Sequence, residues 1–265
     1  MPLPSLPAAF RWTSQPWGAA LVCGPLAQSA VHLFTTRALT LRVGADAGAD
    51  EGWSQLAASM AVPASRLLRL RQVHGRDVVV VSAGGEGPAV DPAPEADALA
   101  SNDPGAALVI RGADCVPVLM ADRRLGVVAA AHAGWRGTAA RTAVVALDAL
   151  RERWGTRPED LVVALGPSIG PCCYQVGEGL VEAFAGAGHQ APARDRWFTR
   201  GADLRLDLWR ANVDLLAEAG VPAAQIHVSG LCTACHLEQC FSYRKEGEGT
   251  GRLAGVIRAR AQAAR

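Results

Sequence analysis

Apolar positions along this chain fall mainly in short runs of strand length, and only three stretches keep the helical repeat. Residues 78–81 are four consecutive valines, a β-branched run that favours a strand. Residues 106–110, 116–120, 125–131 and 161–165 are also short, apolar and bounded by polar, Gly or Pro positions, and each reads as a strand. The 3.6-residue repeat predicts helices over 53–61, 138–154 and 206–219. Asp50 is the expected N-cap of the first, and Gly220 with Pro222 stops the last. The stretch 84–94, rich in Gly, Pro, Glu and Asp, reads as a surface loop. Strands outnumber helices and do not alternate with them, which predicts an α+β fold of packed sheets and not a doubly wound parallel sheet. No repeat or heptad pattern divides the chain, so residues 1–265 are expected to form one domain.

Composition narrows the class. Half the residues are apolar and 19% are charged, which leaves no room for extensive disorder. A formal net charge of +1 gives no electrostatic ground for a nucleic-acid or anionic-membrane partner. No apolar run approaches the ~18 residues needed to span a bilayer. Residues 1–16 lack the basic start and unbroken apolar stretch of a signal peptide, so a cytoplasmic location is expected. Seven cysteines, an odd number in a long chain, favour thiols used for metal binding, catalysis or packing over a disulfide framework.

Three segments concentrate chemistry: Arg71-Gln72-Val73-His74-Gly75, Ala113-Asp114-Cys115-Val116-Pro117, and Ala131-His132-Ala133-Gly134-Trp135-Arg136-Gly137. If the last two flank a hairpin centred between Arg123 and Arg124, Cys115 stands opposite His132, their side-chain roots about 5 Å apart. Such a pair suits a shared metal or a Cys–His dyad. A loop of odd length would put the two on opposite faces. Asp114, Trp135 and Arg136 are costly to bury without partners, which favours a site over a plain packed cysteine and a hydrogen-bonded histidine.

These segments, with Gly166-Pro167-Ser168-Ile169-Gly170-Pro171-Cys172-Cys173-Tyr174 and Phe241-Ser242-Tyr243-Arg244, closely resemble one bacterial family. It was once labelled the polyphenol oxidase or laccase domain, is also called the peptidoglycan editing factor family, and includes a human macrophage enzyme of purine nucleoside metabolism. The match runs in consistent order from about residue 70 to residue 257. The resemblance implies an α/β/β/α layered β-sandwich flanked by helices. It implies that His74, Cys115 and His132 are metal ligands, usually of zinc, with Cys115 and His132 at the chemistry. It further implies phosphorolysis of adenosine, inosine and methylthioadenosine, and deamination of adenosine. Two imidazoles and a thiolate leave a tetrahedral zinc one ligand short, the pattern of a catalytic site, and the same set suits copper. Arg37 or Arg136 is expected to position phosphate, while Ser168 and Ser242 are expected to contact substrate. Thr35-Thr36-Arg37 runs on into Ala38-Leu39-Thr40-Leu41, without the glycine pair and Ser-Leu-Asn usual in the family.

Other readings have their own requirements. A multi-copper laccase depends on many histidines, whereas the six here (32, 74, 132, 189, 227, 236) are scattered without a His-x-His pair. A cytidine-type deaminase needs His-x-Glu followed by Pro-Cys-x-x-Cys, whereas His132 is followed by Ala133-Gly134 and Pro171-Cys172-Cys173 lacks the second half. Cys232-Thr233-Ala234-Cys235-His236 matches the c-type haem pattern but lacks an export context. A second structural zinc on Cys232, Cys235 and either Cys240 or His236 is an alternative to simple loop packing, and Cys172 and Cys173 are expected to line the pocket wall. Cys115 activated by His132 would instead make a cysteine hydrolase of a cell-wall precursor. A zinc-stabilised interaction module is the non-enzymatic reading.

Overall fold

The structure, a computed structural model, describes residues 3–41, 51–85 and 93–261. Its main feature is a pair of six-stranded sheets. From edge to edge, one runs Phe10–Gln15, Gly18–Cys23, Ala30–Thr35, Leu253–Ala259, Ala107–Gly112 and Leu67–Leu68. The other runs Ile226–Val228, Leu161–Leu165, Val116–Asp122, Val128–Ala133, Ala98–Ser101 and Val78–Val81. Phe34, Leu108 and Ile257 of the first sheet pack with Leu119, Ala130 and Val162 of the second. Helix Glu51–Ser59 covers the outside of the first sheet, where Trp53 and Leu56 join Leu33 and Val256. Helices Thr142–Trp154 and Leu208–Glu218 cover the second, where Leu147, Leu150 and Leu215 join Val118, Ala129 and Val163. The layers are therefore α/β/β/α, within the α+β class. Each large apolar side chain so enclosed contributes about 1.5–3 kcal/mol.

Strands with both faces covered need apolar residues throughout, which is why Val116–Asp122 and Leu161–Leu165 read as unbroken apolar runs. Valines 78–81 form the expected strand, which pairs in parallel with Ala98–Ser101. Several boundaries differ from the pattern: the helix expected over 53–61 is Glu51–Ser59, and the strand expected over 106–110 is Ala107–Gly112. The run 125–131 becomes strand Val128–Ala133, because residues 123–126 close the hairpin instead. There the Asp122 carboxylate accepts the N–H groups of Arg124 and Leu125 at 2.8 and 2.9 Å, and Gly126 takes a positive φ of 67°. The helix expected over 138–154 is two helices, Trp135–Ala139 and Thr142–Trp154, broken at Arg141 with φ 60°. Tertiary bonds hold the break: the Thr142 hydroxyl donates to Gly75 O at 2.8 Å, and Asn212 donates to the Thr138 hydroxyl at 3.0 Å. The helix expected over 206–219 spans Leu208–Glu218, with Asp207 capping it through the Arg210 N–H. The Asp50 cap and loop positions 86–92 lie outside the described residues. Strands Phe10–Gln15, Gly18–Cys23, Ala30–Thr35 and Leu253–Ala259, which build most of the first sheet, were not anticipated. Among the described residues no helix is long and apolar enough to cross a membrane.

Candidate active site

Along strand Val128–Ala133, Ala129, Ala131 and Ala133 face the helices, while Val128 and Ala130 face the opposite sheet. His132 continues the second parity, so its ring emerges at the end of the inter-sheet core. Its cross-strand partner is Pro117, because the turn is centred between Arg124 and Leu125, one residue later than the sequence suggested. Moving the centre by one residue moves the partner by two, which keeps Cys115 and His132 on the same face. Cys115 precedes the strand in a tight bend at Asp114, whose φ is 86°. Asp114 is held there by the Thr233 hydroxyl at 2.6 Å and the Arg244 N–H at 2.7 Å. His74 also has a left-handed backbone, with φ 61°. Such strained residues persist only where their surroundings fix them, and here they aim two side chains at one point. The ligand atoms of His74, Cys115 and His132 lie within 4.8 Å of one another.

Asp97, which the sequence reading missed, organises this cluster. Its carboxylate is completely buried and accepts three backbone N–H groups, from Val73 at 3.1 Å, His74 at 3.1 Å and Gly75 at 2.6 Å. It also meets His132 Nδ1 at 2.8 Å. One carboxylate thus shapes the loop that carries His74 and fixes the His132 tautomer, leaving Nε2 for the cluster. Burial opposes ionisation of Cys115, but the adjacent His132 charge and hydrogen bonds from both imidazoles outweigh it and bring the thiol down to about 6. Burial likewise disfavours the His132 cation, yet the Cys115 thiolate and Asp97 lift the imidazole to about 9. A thiolate beside two imidazoles, one oriented by a buried carboxylate, is the donor set of a metal-binding site.

The cluster lies at the wall of a cavity of about 900 Å³. Arg71, Arg111, Arg136, Arg244 and Arg252 line it, and among the described residues only the Arg71 guanidinium pairs with a carboxylate, that of Glu95. Arg136 stacks on Trp135 at 4.5 Å, and Arg244 on Tyr174 at 5.1 Å. Burial and the charges of Arg69 and Arg252 push the Arg111 pKa down, the sign of a positive cluster that an anion would relieve. Of the four expected substrate contacts, Arg136 lines the cavity, whereas Arg37, Ser168 and Ser242 do not. Arg37 pairs with Glu246 at 2.8 Å, donates to Leu237 O and stacks on Phe241, so it braces the segment that carries Tyr243 and Arg244. Ser168 is buried and receives the Trp209 indole N–H at 2.6 Å. Ser242 is buried too, and its hydroxyl has no partner among the described residues.

Gly134 shows how tightly the thiol is held. A Cβ there would lie 2.6 Å from Cys115 Sγ and 3.6 Å from the His74 ring. Gly134→Ala is therefore expected to displace the thiol and weaken metal binding by at least about tenfold, as judged by chelator competition. Wild-type affinity in that variant would show that the close approach has no bearing on the ion.

A family model described as a multi-copper polyphenol oxidoreductase laccase matches residues 33–260. The chain belongs to this family. Among laccase-type relatives, the purine nucleoside phosphorylase YlmD of Geobacillus stearothermophilus is 33% identical over 271 residues, covering 95% of this chain and 97% of its own. The adenosine deaminase RL5, from an unknown prokaryotic organism, is 34% identical over 208 residues, covering 77% and 79%. The crystal structure of the Bacillus licheniformis hypothetical protein YfiH matches with a TM-score of 0.82 at 29% identity, covering 91% of this chain and 96% of its own. The laccase-type family is thus the one that the motifs around His74, Cys115 and His132 resemble.

Proposed function

We propose that residues 1–265 form one catalytic domain, a zinc-dependent purine nucleoside phosphorylase with adenosine deaminase activity, acting on adenosine, inosine and methylthioadenosine. The observation that carries this reading is a His–Cys–His donor set sharing one cavity with four arginines whose guanidinium groups pair with no carboxylate among the described residues. Relatives named for both activities support it. His74, Cys115 and His132 would hold the ion, and three donors suit a catalytic zinc better than a structural one. When bound, the ion supplies Lewis-acid activation of water or of a substrate oxygen near neutral pH.

The chain's own residues carry the rest. In phosphorolysis a phosphate oxygen attacks the ribose C1′ while the purine leaves with the bonding pair. Arg136, pre-positioned on Trp135, together with Arg111 and Arg252 offers the fixed positive charge that orients phosphate for that attack. Tyr174 faces the same cavity, and burial reinforced by the Cys115 charge pushes its phenol up to about 12, so it acts there as a neutral hydrogen-bond donor. A multi-copper oxidase reading draws less support from the histidines. His32 accepts the Cys23 N–H at 3.0 Å and His189 bonds Ala139 O at 2.9 Å, so both are spent on packing.

The test is incubation of metal-analysed protein with the three nucleosides, with and without phosphate, following free base and ammonia. Phosphate-dependent base release is expected, and its absence for every nucleoside would sink the phosphorylase reading. Arg136→Ala is expected to keep the ion and to weaken phosphate use by about 10- to 100-fold, since a hydrogen bond to a charged group contributes about 1.5–3 kcal/mol. Deamination should change little. Equal losses in both reactions would remove Arg136 from the phosphate site.

A further inference from the structure

We propose that Cys172, Cys173, Cys232 and Cys235 form a second, all-thiolate site that takes a zinc-class tetrahedral cation, separate from the His–Cys–His cluster. Their four sulfurs lie within 4.8 Å of one another. Cys235 Sγ is 3.5 Å from Cys172 Sγ and 3.4 Å from Cys173 Sγ. Four sulfurs held about 2.3 Å from a shared zinc stand about 3.8 Å apart, so this spacing fits a tetrahedron. It is far from the ~2.05 Å of a disulfide, and no cysteine among the described residues is paired.

Two backbone turns build the site. Pro171 to Tyr174 follow Gly170, whose carbonyl accepts the N–H groups of Cys173 and Tyr174 at 3.0 Å. The Cys232 carbonyl accepts the N–H groups of Cys235 and His236 at 3.2 Å, curling the Cys-x-x-Cys segment so that both thiols face one side. A bridge between Ser168 and Cys232 brings the turns together, and the Gly170 N–H donates to Cys232 Sγ at 3.2 Å, an interaction that favours the thiolate a metal requires. Arg205, shared with Asp203, donates to the Cys172 carbonyl and brings positive charge to the rim of an anionic tetrathiolate. Cys240, buried with Leu231 and Leu253, and His236 stand outside this group, so the partners of Cys232 and Cys235 are Cys172 and Cys173. Four protein ligands close the coordination shell, which makes the site structural. It clamps the segment carrying Tyr174 to the one carrying Thr233, whose hydroxyl holds Asp114 beside Cys115. Binding releases the thiol protons to solvent and needs no oxidant.

The measurement is metal stoichiometry with cobalt(II) spectroscopy on protein prepared under reducing conditions. The wild-type chain is expected to hold about two zinc ions, Cys115→Ser about one, and Cys115→Ser with Cys235→Ser none. Cobalt(II) alone, added to metal-free Cys115→Ser protein, should give the intense charge-transfer and tetrahedral d–d bands of a tetrathiolate, lost in the double variant. If that variant fails to fold, the wild-type chain decides by alkylation. Cys172 and Cys235 are exposed, and a bound ion should slow their modification at least tenfold. A Cys115→Ser protein without metal or tetrathiolate bands would overturn the site. So would free-thiol reactivity of Cys172 and Cys235 in zinc-loaded protein, or a Cys172–Cys235 or Cys173–Cys235 disulfide in reduced preparations. None of these outcomes depends on which nucleoside, if any, is turned over.

Discussion

Cys115→Ser is expected to leave a folded chain that has lost the ion at His74 and His132, with phosphorolysis and deamination both down by at least about 100-fold. Loss of a group that merely supports a ligand costs about 10–100-fold, and Cys115 is assigned as a ligand itself. Serine is close to cysteine in volume, so the packing around Gly134 opens little and the thermal midpoint should stay near that of the metal-free wild type. The chemistry changes far more. The site brings the Cys115 thiol down to about 6, so it is a thiolate at neutral pH. A serine hydroxyl starts too high for the same surroundings to ionise it, and the deprotonated form is the ligand. Zinc content, thermal midpoint, base release and ammonia release check this together. Full retention of metal and turnover would exclude Cys115 both as ligand and as nucleophile. A metal-free wild-type enzyme that keeps its turnover and loses it on alkylation would favour the cysteine hydrolase.

Asp97→Ala should be the most destabilising single change near the site, at about 3–5 kcal/mol, with metal affinity falling about 10–100-fold. It strands the buried His132 Nδ1 and three part-buried N–H groups at once. Asp97→Asn keeps the volume but turns one acceptor oxygen into a donor facing other donors, so it should rescue only part of the loss. The effect carries a pH signature. Burial alone would raise the Asp97 pKa, but His132 and the Gly75 and Val73 N–H groups outweigh it and hold the folded-state value below the ordinary one. A depressed carboxylate pKa contributes stability that is present above the unfolded-state value of about 3.9 and is lost as pH falls through the folded-state value. The gap between wild type and Asp97→Ala in denaturant unfolding should therefore be widest near neutrality and shrink in acid. A gap independent of pH would show that Asp97 acts through its shape and not its charge.

The second sheet was legible in the sequence because its central strands are covered on both sides. Residues 116–120 and 161–165 therefore show as apolar runs with nothing else competing. The first sheet was harder. Strand Phe10–Gln15 mixes polar and apolar positions, and Leu253–Ala259 carries Gly255 and Arg258 within it. The hairpin turn was misplaced by one residue because its geometry depends on the Asp122 side chain and the positive φ of Gly126, and hydrophobic runs do not report either. His74, Cys115 and His132 stood out through their neighbouring residues. Asp97 did not, since a lone acid among alanines bears no spacing relation to a histidine 35 residues away. Its one signal was a carboxylate at the start of an apolar strand, which must find donors if it is buried. Arg111 and Arg252 were invisible for a similar reason: they become neighbours only when Ala107–Gly112 pairs with Leu253–Ala259. The chain pattern sets Cys232 and Cys235 with Cys240 or His236 and puts Cys172 and Cys173 on the pocket wall, which they do not line, because the Ser168–Cys232 bridge that joins the two segments is a tertiary contact.

Two of the proposed metal donors, Cys115 and His132, and two of the proposed phosphate-binding charges, Arg111 and Arg252, are borne by different halves of the sandwich, while Arg136 follows the strand of His132. Cys115 and His132 lie at the ends of strands of one sheet, whereas Arg111 lies in strand Ala107–Gly112 of the other and Arg252 immediately precedes its neighbour Leu253–Ala259. The span between those two donors and those two guanidinium groups is therefore set by interlocking of Phe34, Leu119 and Ile257 in the layer between the sheets, which in such sandwiches is about 10 Å thick. A methyl group added or removed there alters the gauge of the reaction centre without touching it. Among descendants of this chain, substitutions in that layer should be tolerated in compensating pairs, large for small across the gap, and a variant's catalytic fitness should depend on the core in which it arises.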